Sequence, residues 1–165
     1  MAYDFSGPWT PHSGHQAQLF TPDHPYSEHA THSGHKSITY LQSKNVPLNK
    51  VLLGVPVYGR SFLGTNHIGQ VSHGAGGEEG VFLYKDLPRP GASQEIVDEA
   101  VGAAYSVGGD GGFVTYDNPE TVQMKANYVK QKGLGGIFFW TGAADVRSGE
   151  RSLIETSYVT LHRQL

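Results

Sequence analysis

Cysteine is absent from all 165 residues, so no disulfide and no thiolate-ligated metal can hold this chain together. Charge is also scarce. Charged residues make up 16% of the chain, against about 25% in an ordinary domain. The formal net charge is −3, which removes the electrostatic case for nucleic acid or an anionic membrane surface as a partner. No apolar run approaches the roughly 18 residues that a membrane-spanning helix needs. The first residues hold no basic stretch leading into an apolar one, so no signal peptide is expected on them. What is plentiful is glycine, at 22 residues, and tyrosine, at 9. A nearly neutral surface rich in both suits uncharged, hydroxylated ligands such as sugars. The length is enough for one domain with a real core.

Along the chain, residues 5–33 lack a hydrophobic period and are rich in Pro, Gly, Ser, Thr and His. This predicts a long loop, and loops of that length in compact domains are usually functional. Ser33 is a candidate cap for a helix near 35–45, with Ile38 and Leu41 on one face and Pro47 ending it. The run KVLLGVPVYGR (50–60) predicts a strand buried on both faces. Glycine-rich turns over 64–80 lead to VFLYKDL, and a helix is expected near 93–103 with Ser93 as its cap. AAYSV and GFVTY, joined through GGDG, read as a hairpin.

Asn118-Pro119-Glu120 is a strong helix start, with Val122, Ala126 and Val129 as the apolar stripe and Gly133 as the stop. GGIFFW (135–140) predicts a second short buried strand, and a last helix is expected over 151–164. Strands alternating with helices imply parallel βα units. Each barrel-type strand carries polar or aromatic groups at its C-terminal end: Tyr3 and Asp4, then Tyr58 and Arg60, then Trp140. In α/β barrels that face holds the active site, so these groups are expected to share one pocket.

Two other patterns weigh less. His29, His32 and His35 are spaced by three, as are His12 and His15. On a helix such spacing could bring two imidazoles to one metal, but the Pro, Gly and Ser around them do not form a helix and no third ligand is placed. No metal is therefore assigned, and His15 is expected to have a structural hydrogen-bonding role. GAGG (74–77) lacks the Lys-Ser/Thr ending and the strand-to-helix setting of a phosphate loop.

The segments MAYDFSG, VPVYGRSF and GGIFFW, in this order, resemble the C-terminal half of the catalytic domain of family 18 glycoside hydrolases, the chitinases. GVFLYKDLP, YDNPETVQMKANYVKQKGLGG and SGH are also similar to the fungal and bacterial type with an α+β insertion. The resemblance covers nearly the whole chain. It implies an α/β fold: a partial (β/α)8 TIM barrel, strands six to eight, over residues 1–60 and 119–165, with a small α+β chitinase insertion over 61–118. MAYD would be strand six, 51–60 strand seven and 135–140 strand eight.

The activity implied is hydrolysis of β-1,4-linked N-acetylglucosamine by a substrate-assisted, retaining route, an exception to the two-carboxylate pattern. By resemblance, Tyr3 would hold the N-acetyl carbonyl for attack, Asp4 would contact sugar hydroxyls and Met1 would line the pocket. Tyr58 and Arg60 would border the cleft, Trp140 would lie beneath the reacting sugar, and Trp9 and Glu78 would reach toward outer sugars. The chain departs from the pattern at Gly77, where relatives often carry Trp. It also lacks the family's D-x-x-D-x-D-x-E motif, whose Glu is the general acid.

The resemblance implies no cofactor, and chitin or chito-oligosaccharides as ligand. It favours an extracellular setting. Met1 is expected to be an internal pocket methionine of a longer enzyme. An N-terminal half, or self-association through open barrel edges, is the expected protein partner. The alternative is a non-catalytic chitin-binding, chitinase-like protein.

Overall fold

The computed structural model describes residues 1–163. Among these residues the architecture is mixed α/β, with two sheets and three α-helices. Strands β1 (Leu52–Pro56) and β7 (Gly136–Trp140) form a parallel pair, in register from Leu52 opposite Gly136 to Pro56 opposite Trp140. Strands β2 (Tyr58–Phe62), β3 (Val81–Leu83), β4 (Ile96–Asp98), β5 (Ala103–Val107) and β6 (Phe113–Tyr116) form an antiparallel sheet in the order β3-β2-β6-β5-β4. The expected hairpin is β5 and β6, with Val107 opposite Phe113.

The run 50–60 is not one strand. It breaks at Val57, whose N–H donates to the Trp140 carbonyl (2.7 Å) and whose carbonyl accepts from the Tyr84 N–H (3.1 Å). Those bonds divert the chain from β1 into β2, so one apolar run feeds two sheets.

The expected helix near 93–103 is absent. Ile96–Asp98 is instead β4, paired antiparallel with β5. Ile96 and Val97 favour a strand. Gly91 (φ 79°) and Gly102 (φ 64°) bracket the segment with turns. Ser93, expected as a cap, accepts the Val107 N–H on its hydroxyl (3.0 Å) and so anchors a strand end.

MAYD is not a ladder strand either. The chain turns at Asp4 (φ 60°), and the Phe5 N–H donates to the Gln16 carbonyl (2.9 Å).

The three helices follow their caps. The Ser33 hydroxyl accepts the Lys36 N–H at the start of α1 (Gly34–Ser43). For α2 (Pro119–Lys132), Asn118 and Thr121 exchange side-chain and backbone bonds (3.0 Å each), and Gly133 stops the helix in the left-handed region (φ 64°). Such reciprocal capping satisfies two otherwise orphaned N–H donors. The Ser152 hydroxyl caps α3 (Leu153–His162), and Asp145 accepts the N–H groups of Leu153 and Ile154. Residue 164, the expected end of this helix, lies outside the described residues.

Val122, Ala126 and Val129 are all buried, as their spacing predicts. Val122 packs with Val55, Val57, Tyr84, Val114 and Leu153, which ties α2 and α3 to both sheets. Each such side chain contributes about 1.5–3 kcal/mol by leaving water. Val129 and Tyr128 pack with Ala2, Leu19, Ile38 and Leu53 in a second cluster.

The long segment 5–33 is irregular, as expected, apart from a 3-10 turn at Glu28–Thr31. Residues 13–19 within it are nonetheless buried, and the backbone there is held by side chains. Gln16 Nε2 donates to the Tyr58 carbonyl (2.8 Å), and Gln18 Nε2 donates to the carbonyls of Ala30 and His32. Lys125 of α2 is itself buried, with Nζ 2.6 Å from both Asp117 Oδ2 and the Ala17 carbonyl.

Candidate functional site

The C-terminal ends of β1 and β7 open on a cavity of about 400 Å³. Its wall is built from Met1, Tyr3, Asp4, Tyr58, Arg60 and Trp140, together with Val81, Leu83, Thr141 and Ala144. Six of the eight residues expected from sequence are therefore brought together. Trp9 and Glu78 are outside the lining. Trp9 stands one layer back, with the Arg60 guanidinium 4.8 Å from its ring centre. Glu78 lies exposed in the turn ahead of β3, bridged to Val81 through the backbone.

Asp4 is the one carboxylate in the lining. Its Oδ1 accepts three donors: Tyr58 OH at 2.8 Å, Arg60 Nε at 3.0 Å and Arg60 Nη2 at 2.9 Å. The left-handed backbone at Asp4 swings the carboxylate to this position. The Arg60 guanidinium also lies 5.3 Å from the centre of the Tyr58 ring, so aromatic faces of Trp9 and Tyr58 hold it as well. Oδ2 takes none of these three bonds and stays available as an acceptor.

Burial, followed by the hydrogen bond to Asp4, pushes the Tyr58 phenol well above its ordinary value. Burial, followed by the charge of Asp4, also raises Tyr3. Both phenols therefore carry their protons at neutral pH, and that of Tyr58 donates to Asp4. Tyr3 is seated edge-on against Tyr58 (ring centres 6.2 Å apart) and Phe138 (6.4 Å). Gly54 on β1 makes this possible, because a Cβ there would sit 2.6 Å from Phe138 and 3.0 Å from Tyr3. Trp140 ends β7 with 62% of its surface exposed. A large indole left open at the mouth of a cavity can take the apolar face of a ligand ring.

Val81 and Leu83 were not expected in the site. The β2–β3 register sets Val81 opposite Arg60 and Leu83 opposite Tyr58. Alternation along VFL puts both on one face, a signal readable once the segment is paired with YGR. Among the described residues, no group of three His, Asp or Glu side chains could hold a metal ion.

Comparison with known proteins identifies the family. The profile of Glycosyl hydrolases family 18 matches residues 1–145. The chain is 36% identical to Chitinase 1 of Aphanocladium album, over 99% of this chain and 39% of that protein. It is 40% identical to Endochitinase 1 of Metarhizium robertsii, over 95% of this chain and 37% of that one. Among solved structures, a GH18 chitinase from Cycas revoluta in complex with (GlcNAc)4 superposes with a TM-score of 0.83 at 32% identity, covering 97% of this chain and 45% of that chain. The chain thus spans about two fifths of the length of the curated relatives it matches.

Proposed function

The chain belongs to glycosyl hydrolase family 18, and on that premise we propose that it binds chito-oligosaccharides in the Tyr3–Trp140 cavity as the substrate-holding side of a chitinase site. The observation that carries this reading is the Asp4 carboxylate, clamped through Oδ1 by Tyr58 and Arg60 beside an open Trp140. In this reading the Tyr3 phenol donates to the N-acetyl oxygen that attacks the sugar carbon, and Asp4 Oδ2 accepts from a sugar hydroxyl. Trp140 carries the C–H face of the pyranose. Donors and acceptors fixed before the substrate arrives lower the barrier without reorganising during the reaction.

No D-x-x-D-x-D-x-E motif occurs in these 165 residues, and Asp4 is the sole carboxylate lining the cavity. A general acid is worth roughly 10²–10⁴ in rate. The chain by itself is therefore a binding protein and not a catalyst. The non-catalytic, chitinase-like reading shares this prediction and rests on the same missing motif.

We read the parallel pair β1–β7 as part of a (β/α)8 barrel and the antiparallel sheet as its insertion, with the boundary between them at Val57. Support comes from the exposure along β7, where every residue from Gly136 to Trp140 is at least partly open. Parallel strands ordinarily need cover on both faces. The fitting partner is thus a polypeptide that adds parallel strands beside β1 and β7 and supplies the acidic motif.

Calorimetry with chitotetraose tests the binding. A saturable isotherm is expected, with Trp140→Ala at least tenfold weaker, equivalent to about 1.4 kcal/mol. Because Trp140 is exposed, that variant should melt with the parent. Heat changes identical in parent and variant would overturn the assignment. Turnover of chitin by the purified chain alone would overturn the division of labour.

A further inference from the structure

Asp4, Tyr58 and Arg60 form the clamp at the cavity wall, and one residue behind that wall is bonded at or beside each of them. Gln16 is fully buried and takes no part in the lining. Its side-chain Nε2 donates to the carbonyl of Tyr58 itself (2.8 Å). Its carbonyl accepts the N–H of Phe5 (2.9 Å), the residue that follows Asp4. Its own N–H donates to Thr115 Oγ1 in a longer bond (3.4 Å), and Thr115 is paired opposite Arg60 between β6 and β2.

These bonds fall where the clamp needs support. Asp4 has a left-handed backbone (φ 60°), a region that residues other than glycine rarely adopt. The Phe5 bond fixes the peptide that leaves this turn, and with it the direction of the carboxylate. Tyr58 is the first residue of β2, just after the break at Val57. The Gln16 amide ties that strand start to the same residue that holds Phe5. The Tyr58 OH–Asp4 Oδ1 bond (2.8 Å) thus joins two segments far apart in the chain, and both backbones hang on Gln16.

Resting on the chito-oligosaccharide reading of the Tyr3–Trp140 cavity, we infer that Gln16 is a positioning residue for sugar binding. It sets the Tyr58 phenol against the Asp4 carboxylate and so keeps Oδ2 presented to the ligand, which Gln16 itself never touches. Small displacements of a binding group are expensive in affinity, so a buried amide behind the wall can act on what the wall holds. Gln18 supplies the matched control. It is also buried, two residues further on, and its Nε2 donates to the carbonyls of Ala30 and His32. Both glutamines leave Oε1 without a hydrogen-bond partner among the described residues. They differ in what the amide holds: Tyr58 in one case, a loop remote from the clamp in the other.

The readout is the Arg60 side-chain Nε–H, which donates to Asp4 Oδ1 (3.0 Å) and can be followed by NMR in the ligand-free 165-residue protein. Gln16→Met keeps the side-chain length and removes the donor. Its Arg60 Nε–H should exchange with solvent roughly tenfold faster than the parent's, and its chitotetraose affinity by calorimetry should fall about tenfold, equivalent to about 1.4 kcal/mol. Gln18→Met should leave both at the parent values, even where the two variants lose the same melting temperature. Unchanged exchange at Arg60 in Gln16→Met, or equal acceleration in Gln18→Met, would reduce Gln16 to a structural residue and sink the inference. Because exchange is measured without sugar, a parent that binds no chitotetraose refutes the cavity reading while the clamp result stands. If Gln16→Met does not fold, the parent decides. In dilute urea its Phe5 amide, Gln16 side-chain amide and Arg60 Nε–H should exchange through one shared opening, and independent openings would refute the coupling.

Discussion

The Asp4 carboxylate meets the Arg60 guanidinium through a single oxygen, with Nε at 3.0 Å and Nη2 at 2.9 Å from Oδ1. A guanidinium more often spreads over both oxygens of a carboxylate. Here the one-sided grip orients the group and leaves Oδ2 unengaged.

Removing the grip should cost binding more than folding. In Arg60→Ala, Asp4 keeps only the Tyr58 bond. Charge-assisted bonds are worth about 1.5–3 kcal/mol, and Asp4 is more than a third exposed, so water screens part of that. Chito-oligosaccharide affinity should fall about tenfold, while stability changes by less than about 1 kcal/mol. Calorimetry and urea denaturation measure the two separately.

Gly54→Ala tests the seat of Tyr3. The added methyl would press on Phe138 and Tyr3 together. Overpacking of this kind costs roughly 1–3 kcal/mol, and the displaced phenol should weaken sugar binding as well. Adding Phe138→Leu frees the space and should restore affinity. A double variant as weak as Gly54→Ala would show that Phe138 does not transmit the strain.

Lys125 should be among the costliest single positions. Its ammonium neutralises Asp117 with both side chains almost fully buried, and it holds the Ala17 carbonyl of the long loop. Lys125→Ala strands a buried carboxylate, which typically costs about 3–5 kcal/mol. Replacing both partners, as Lys125→Met with Asp117→Asn, should cost less than the single change. Chemical denaturation gives that rank order directly.

Asp98 supplies an acid-sensitive element of stability. Its carboxyl pKa is lowered in the fold, first by His15 and then by the His15 charge and nearby backbone N–H groups, against the opposing effect of burial. A depressed folded value stabilises the fold above the unfolded aspartate pKa of about 3.9 and stops doing so as pH falls through the folded value. Asp98→Asn should therefore cost the most stability near pH 7 and progressively less as pH falls below about 4, which flattens the acid limb of the stability profile. Thermal melts of parent and variant across about pH 2–7 report the difference.

What could be read from sequence was local and self-consistent. Asn118-Pro119-Glu120 and Gly133 marked α2 because capping and stop signals act within one helical turn. The strand ends YGR and FFW were legible as one cavity because polar or large aromatic groups close apolar strands at the end where α/β barrels hold their sites. The misreadings came from pairing. Ile96 and Val97 belong to a three-residue strand that exists only against β5, and nothing within the segment announces that partner. The split at Val57 depends on bonds to Trp140 and Tyr84, which are distant in the chain. The burial of Lys125 has no local signal, because it follows from contacts with Asp117 and with the Ala17 carbonyl of the 5–33 segment.

Val57 has a wider consequence. Its two peptide groups are shared between the cavity's opposite sides, one bonded to the end of β7 and the other to the residue that follows β3. The spacing of the indole wall from the aliphatic wall is thus written in main-chain atoms. Substitutions around the rim can retune what the cavity accepts without resetting its width, and any apolar residue at position 57 that keeps its N–H would preserve the gauge. Proline could not.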